Sequence, residues 1–396
     1  MMDRFLLNLN KFTDSNIKIY ITGLFFALAI SLIAVAQLSY YNFQIFSFGS
    51  TDFWIGINPY SDWNHLSVLG KPLDFYLYSP QFSILFTPFA LLPGWLGLFC
   101  WILFTYTLFY FSVFTLPEQF TFVKKKFIFF YSFLLLLQTL FAEQFNPVVA
   151  ALFLFSFTLL EKDKAFWAVL LILLSGFTKI YGIFQIGMLL FYPRIWKNIL
   201  YASIIAVLFL LLPLVKVPAN MLADYYQSWI KIVNYNASTP LNYEIIYRPF
   251  YMLYNSIKPV MGIISLGVMA FLYSIAFYKI RLFKESFLHR VRFLGILLVS
   301  VILFGMASER NTYIIAIVGY AMWYLCSQTT KIDKILLWIN FVLLEIVPID
   351  LFCPASVSTF LLTKLNLNII VLTITWGFMV YKTFNSNPST NLYSTI

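Results

Sequence analysis

Three polar turns and one acidic loop carry the residues of this chain that could do chemistry. The turns read Phe141-Ala142-Glu143-Gln144-Phe145-Asn146-Pro147, Ser175-Gly176-Phe177-Thr178-Lys179-Ile180-Tyr181-Gly182 and Ala307-Ser308-Glu309-Arg310-Asn311-Thr312-Tyr313, and each joins two apolar runs. The loop, 39–80, holds Asp52, Asp62, Asp74 and His65 with one cation, Lys71. A second loop, 216–259, adds Asp224, Lys231, Glu244 and Arg248. Charge is costly beside lipid and tends to mark function there. Carboxylates within hydrogen-bond reach of a hydroxyl take its proton, and Lys and Arg hold anionic groups. Short turns expected to converge on one membrane face, opposite an acidic loop, could form one polar site.

The elements that must position these residues are membrane helices. The chain is 61% hydrophobic and only 11% charged, with a mean hydropathy of +0.83, and a soluble protein of this length needs more polar surface. Apolar runs able to cross roughly 30 Å of hydrocarbon recur along it. The expected fold is an all-α polytopic membrane domain over 1–396. Spans are expected near 17–38, 81–116, 127–141, 146–161, 165–178, 180–192, 198–215, 260–279, 292–307, 311–327, 332–349 and 366–382, which is 11 to 12 crossings with both ends on one side. The first run lacks a small-residue cleavage site and reads as a retained span. Of the 26 Lys and Arg, eighteen fall on the side of the N-terminus and eight on the other. By the positive-inside rule both ends are therefore cytoplasmic, and the net charge of +10 is a topology signal that argues against nucleic acid as a partner.

The cytoplasmic connections are short and carry no Walker or dinucleotide motif, which disfavours an ATP-driven pump. The three scattered cysteines form no disulfide framework, and no His/Cys/Asp cluster has metal spacing, so neither a ligated metal nor a cofactor is expected. Several residues have plainer roles open to them. Asp62 and Asp74 suit a solvated loop, Lys179 suits a snorkelling interfacial lysine, Arg248 can pair with Glu244 one turn away, Glu309 can pair with Arg310, and His65 suits a surface position. His289, among Arg290 and Arg292, belongs to the cytoplasmic side.

Asn58-Pro59-Tyr60, Tyr76-Leu77-Tyr78-Ser79-Pro80 and Thr87-Pro88-Phe89-Ala90-Leu91-Leu92-Pro93 resemble the first extracytoplasmic loop of the family 87 glycosyltransferases, GT-C-fold membrane enzymes similar to polyprenol-phosphate-mannose-dependent α-mannosyltransferases. Gln144-x-Asn146 resembles their Gly-Gln-x-Asn turn, and Phe177-Thr178-Lys179-Ile180 their lysine-containing turn. The resemblance covers roughly 40–320. It departs at Asn42-Phe43-Gln44-Ile45-Phe46, where the pattern has an acid in place of Asn42. An amide is no general base, so Asp52 or another outer-face acid such as Glu309 takes the role, or Asn42 only positions a hydroxyl, or catalysis is lost. Ser79-Pro80 replaces a Pro-Pro, and the late turn, which often carries His, reads Ser308-Glu309-Arg310-Asn311.

The resemblance implies transfer of a hexose from a polyprenyl-phosphate donor to a lipid-linked or envelope glycan acceptor on the outer face of the plasma membrane. Asp52 or Glu309 would be the base and Asn42 the acceptor positioner. Lys179, Arg248 and Arg310 would anchor phosphate, Gln144 and Asn146 would hydrogen-bond sugar or phosphate, and aromatics such as Tyr78 would face the sugar. Two other classes are consistent with many spans and an amphiphilic cavity: a flippase or transporter of lipid-linked sugars, and an envelope-glycan polymerase or ligase. Transporters often show repeated halves, which this sequence lacks, and polymerases usually place their largest loop late.

Overall fold

The computed structural model describes residues 15–38, 40–61, 63–238, 261–305 and 308–385. Among these residues the protein is built from helices and turns, with one isolated antiparallel bridge between Leu66 and Pro72. The chain divides into two compact units, Met1–Ile186 with Trp196–Leu241, and Gly187–Ile195 with Asn242–Ile396.

The first unit contains α1 (Asn16–Ala36), α2 (Tyr41–Ile55), α3 (Pro80–Ala90), α4 (Gly94–Phe114), α5 (Phe122–Tyr131), α6 (Phe133–Phe141), α7 (Asn146–Glu161) and α8 (Ala165–Thr178). A 3₁₀ segment, Ile180–Phe191, begins in this unit, and α9 (Ile195–Leu211) and α10 (Leu222–Ser238) complete it. Local chemistry sets several ends. The Ser15 hydroxyl accepts from the Lys18 N–H and opens α1. Pro80 and Pro147 open α3 and α7, where their missing N–H costs nothing. Gly56, at φ 86°, closes α2 in the left-handed conformation.

The second unit contains α11 (Met261–Tyr278), α12 (Ile280–Glu285), α13 (Phe287–Leu303), α14 (Tyr313–Leu325), α15 (Lys331–Phe341), α16 (Ala355–Ser358) and α17 (Leu367–Asn385), with π-helical turns at Val342–Ile346 and Thr359–Lys364. Its core is the α13–α14 pair. Polar groups on α17 reach it: Trp376 donates to the Ser300 hydroxyl at 2.7 Å, and Trp323 of α14 donates to Thr383 at 2.9 Å. Thr330 and Asp333 form a capping box at the start of α15, and Asp333 pairs with Lys382.

The architecture is all-α and polytopic, and it differs from the sequence expectation in where helices break. Among the described residues, four helices are long and apolar enough to cross a membrane: Asn16–Ala36, Gly94–Phe114, Ile195–Val215 and Leu367–Asn385. Four shorter apolar ones cover Asn146–Glu161, Ala165–Thr178, Ile180–Phe191 and Gly262–Tyr278. The expected single span 81–116 is two helices, because Leu91–Pro93 turn the chain between α3 and α4. The expected span 127–141 breaks at Ser132, whose hydroxyl bonds back to the Ile128 carbonyl at 2.9 Å. Each expected loop contains a helix, α2 in 39–80 and α10 in 216–259.

Candidate functional site

The candidate site of the first unit begins with a hairpin. α7 and α8 are joined by a tight turn at Lys162–Lys164 and run antiparallel, so the start of α7 and the end of α8 lie at the same end of the pair. That geometry brings Asn146 to Lys179, and the Lys179 Nζ donates to Asn146 Oδ1 at 2.6 Å. Asn146 Nδ2 in turn donates to Gln144 Oε1 at 3.3 Å. Lys179 also lies over the Tyr181 ring, 5.4 Å from its centroid. It leaves α8 with extended backbone (φ −144°, ψ 114°), which aims its side chain away from the helical path. The turn after it is tight: a Cβ added at Gly182 would meet the Ser175 hydroxyl at 2.3 Å and the Gly176 nitrogen at 2.6 Å.

The 142–146 turn is held from two other helices. Trp101 of α4 donates through Nε1 to the Glu143 carbonyl at 2.9 Å. The Asn42 side-chain amide of α2 donates to the Ala142 carbonyl, also at 2.9 Å. Within the turn, Gln144 N–H donates to the Thr139 carbonyl at 3.0 Å. Phe145 lies parallel to Trp101 and meets Tyr78 edge to face at 5.9 Å. Tyr78 stacks on Phe82 at 4.3 Å. Asn42, Gln144, Asn146, Lys179 and Tyr78 are thus joined through one turn.

One residue of this turn has no role in the sequence expectation beyond being acidic. Glu143 is 3% exposed, and its Oε2 accepts the backbone N–H of Asn42 at 3.1 Å. α2 has no side-chain cap of its own, so this carboxylate caps it from a hundred residues away. Burial pushes the Glu143 carboxyl up to about 8, against the lowering effect of the Asn42 and Phe43 amides. Its backbone sits at φ 49°, the left-handed region that glycine prefers. The turn it resembles has glycine at this position, while Asn42 stands where that pattern has its acid. The two departures face each other. Neither could be paired from the sequence, since they are 101 residues apart.

Asp52 lies ten residues along α2 from Asn42, a helical rise of about 15 Å. It is 2% exposed, and its Oδ2 meets His65 Nε2 at 2.7 Å. The His65 ring stacks on Phe48 at 4.3 Å and meets Trp63 edge-on at 4.7 Å. His65 is therefore packed, against the expectation of a surface residue. The structure does not bring Asp52 to the Glu143–Lys179 cluster. Asp74 is exposed, its N–H donating to the Tyr41 hydroxyl at 2.8 Å. Glu309 and Arg310 belong to the second unit, where they begin the turn into α14. Asp62, Glu244 and Arg248 lie outside the described residues.

The sequence model of glycosyltransferase family 87 matches residues 76–307, more than half of the chain. Among curated proteins none matches. The matched stretch contains the whole Glu143–Asn146 turn and Lys179, while Asn42 and Asp52 precede it and Glu309 and Arg310 follow it.

Proposed function

Because the chain belongs to glycosyltransferase family 87 and is a membrane glycosyltransferase, we propose that it moves a hexose from a polyprenyl-phosphate donor to a lipid-linked or envelope glycan acceptor. The reaction takes place on the outer face of the plasma membrane, with both chain ends cytoplasmic. The acceptor hydroxyl oxygen forms a bond to the anomeric carbon as the bond from that carbon to the phosphate oxygen breaks. The electron pair stays on the departing polyprenyl phosphate, and the hydroxyl proton passes to a carboxylate.

The observation that carries this reading is the Lys179–Asn146 contact of 2.6 Å at the open end of the α7–α8 hairpin, opposite the Lys162–Lys164 turn. A departing phosphate gains negative charge, and a fixed cation in a partly dehydrated setting stabilises it. The N-terminus of α7 adds backbone N–H groups and positive dipole at the same place. Gln144 and Asn146 supply further hydrogen bonds to phosphate or sugar, and Tyr78 offers an aromatic face beside them.

The test supplies membranes carrying the protein with radiolabelled sugar on a polyprenyl phosphate, on a polyprenyl diphosphate or on a nucleotide. Label is expected to reach lipid or glycan product from the polyprenyl monophosphate alone. Transfer only from a nucleotide sugar, or movement of intact lipid-linked sugar across the bilayer without transfer, would overturn the proposal.

A further inference from the structure

Glu143 is an unusual place for a carboxylate. It lies at the centre of a turn, buried, with backbone amides as its hydrogen-bond partners and a left-handed backbone that costs a non-glycine residue on the order of 1 kcal/mol. Capping α2 explains the hydrogen bond, and a helix cap contributes about 1 kcal/mol. It does not explain the choice of an acid, because an amide oxygen would accept the same N–H groups without the cost of burying a carboxylate. A strained, buried acid three residues from the partner of a lysine points to chemistry.

We infer that Glu143 is the catalytic base of this enzyme, taking the proton of the acceptor hydroxyl as the sugar leaves its phosphate. The inference rests on the glycosyl-transfer reading above and adds a residue to it. Asn146, which holds Lys179 on the phosphate side, is three residues from Glu143, so their Cα atoms are at most about 11 Å apart. The attacking and leaving oxygens meet at one anomeric carbon, so the groups that serve them must lie close together, as two residues of one turn and its lysine partner do. The Asn42 amide and the Trp101 indole pin the carbonyls on either side of the Cα of Glu143, so the acid is held on two helices. Rigid support of this kind is what a positioned proton acceptor needs. In the transfer step the hydroxyl O–H bond breaks toward Glu143, the new glycosidic bond forms at the anomeric carbon, and the carboxylate ends protonated. No other reactant is required.

The substitution that separates base from cap is Glu143→Gln. The amide oxygen still accepts from the Asn42 N–H, but glutamine takes up no proton. Transfer from radiolabelled polyprenyl-phosphate sugar is measured beside binding of the same donor and thermal unfolding in detergent. The expected result is a loss of transfer of at least about 100-fold, with donor binding within about threefold of wild type and unfolding not lowered. Glu143→Asp, a shortened acid, is expected to recover part of the rate. Wild-type transfer with Glu143→Gln within about threefold of it would overturn the role of Glu143 and leave the function standing. A loss of transfer in Glu143→Gln matched by an equal loss of donor binding or of folding would assign Glu143 to structure and overturn it as well. Absence of wild-type transfer from every polyprenyl-phosphate sugar would instead sink the functional reading, and this inference with it.

Discussion

Helix α2 buries a carboxylate at each end, and the two ends solve the problem differently. At its C-terminal end Asp52 is matched by an imidazole, which is itself sandwiched by Phe48 and Trp63. That pair fastens the loop after α2 back onto the helix, helped by Leu73 N–H donating to the His65 carbonyl at 3.0 Å. At the N-terminal end Glu143 receives backbone amides, and its carboxyl is displaced far upward by desolvation. A buried acid with an ionisable partner stabilises a loop; a buried acid among neutral donors keeps its proton chemistry near neutral pH. The comparison assigns structure to the Asp52 end and chemistry to the Glu143 end.

The strongest way to break this contrast is Glu143→Gln, with its expected loss of about 100-fold or more in transfer. Lys179→Ala follows, with about a 100-fold drop, because one fixed donor to developing charge is worth that much. Steady-state transfer by the two variants checks both numbers, and equal activity in either would blur the distinction between the ends. Gly182→Ala is expected to cost about tenfold through Lys179, since its Cβ would collide with backbone at Gly176 and displace the turn that carries the lysine.

At the other end, Asp52→Asn or His65→Ala is expected to lower unfolding stability by about 1 kcal/mol, from the broken, partly buried hydrogen bond. Activity would fall less than tenfold, and thermal unfolding in detergent reads the difference. A rate loss there as large as that of Glu143→Gln would reverse the assignment of the two ends. A further effect separates them again. The Glu143 carboxyl is raised in the folded state, so the folded protein holds a proton that the unfolded chain has lost. Its contribution to stability is complete below about 4.5, the ordinary value, and fades as pH climbs through about 8. Wild type is expected to lose up to a few kcal/mol more than Glu143→Gln between pH 5 and pH 9, which unfolding curves at several pH values would show.

Composition and run lengths were enough to read the membrane class and most helices, because a span in lipid must satisfy its backbone internally and be apolar for some 20 residues. The Lys179 and Gln144-x-Asn146 turns were also legible, since polar residues between apolar runs stand out. α2 was not. Its sequence mixes Asn, Gln, Ser, Thr, Gly and aromatics with neither helical nor strand period, and no residue before it caps it. It is a helix because Gly49 lets the Tyr76 ring lie against it, where a Cβ would come within 2.3 Å, and because Glu143 caps it from another turn. The partners Asp52–His65 and Asn42–Glu143 are contacts through space, set by packing that no local pattern encodes. The breaks at Ser132 and at Leu91–Pro93 likewise came from local hydrogen bonding and turn geometry within runs that read as continuous.

The pH profile of kcat/KM for sugar transfer tests the role of Glu143 as base. The ionisable groups on the elements packed around Glu143 are Lys179 beyond α8, Glu161 at the far end of α7, Cys100, Tyr106 and Tyr110 on α4, and Tyr41 and Asp52 on α2 with His65 bound to Asp52. A base raised by burial is idle while protonated, so the rate should climb with pH and level off above about 8 in wild type. The residual rate of Glu143→Gln should lack that climb. A wild-type profile that is flat from pH 6 to pH 9, or an unchanged climb in Glu143→Gln, would show that Glu143 is not the base.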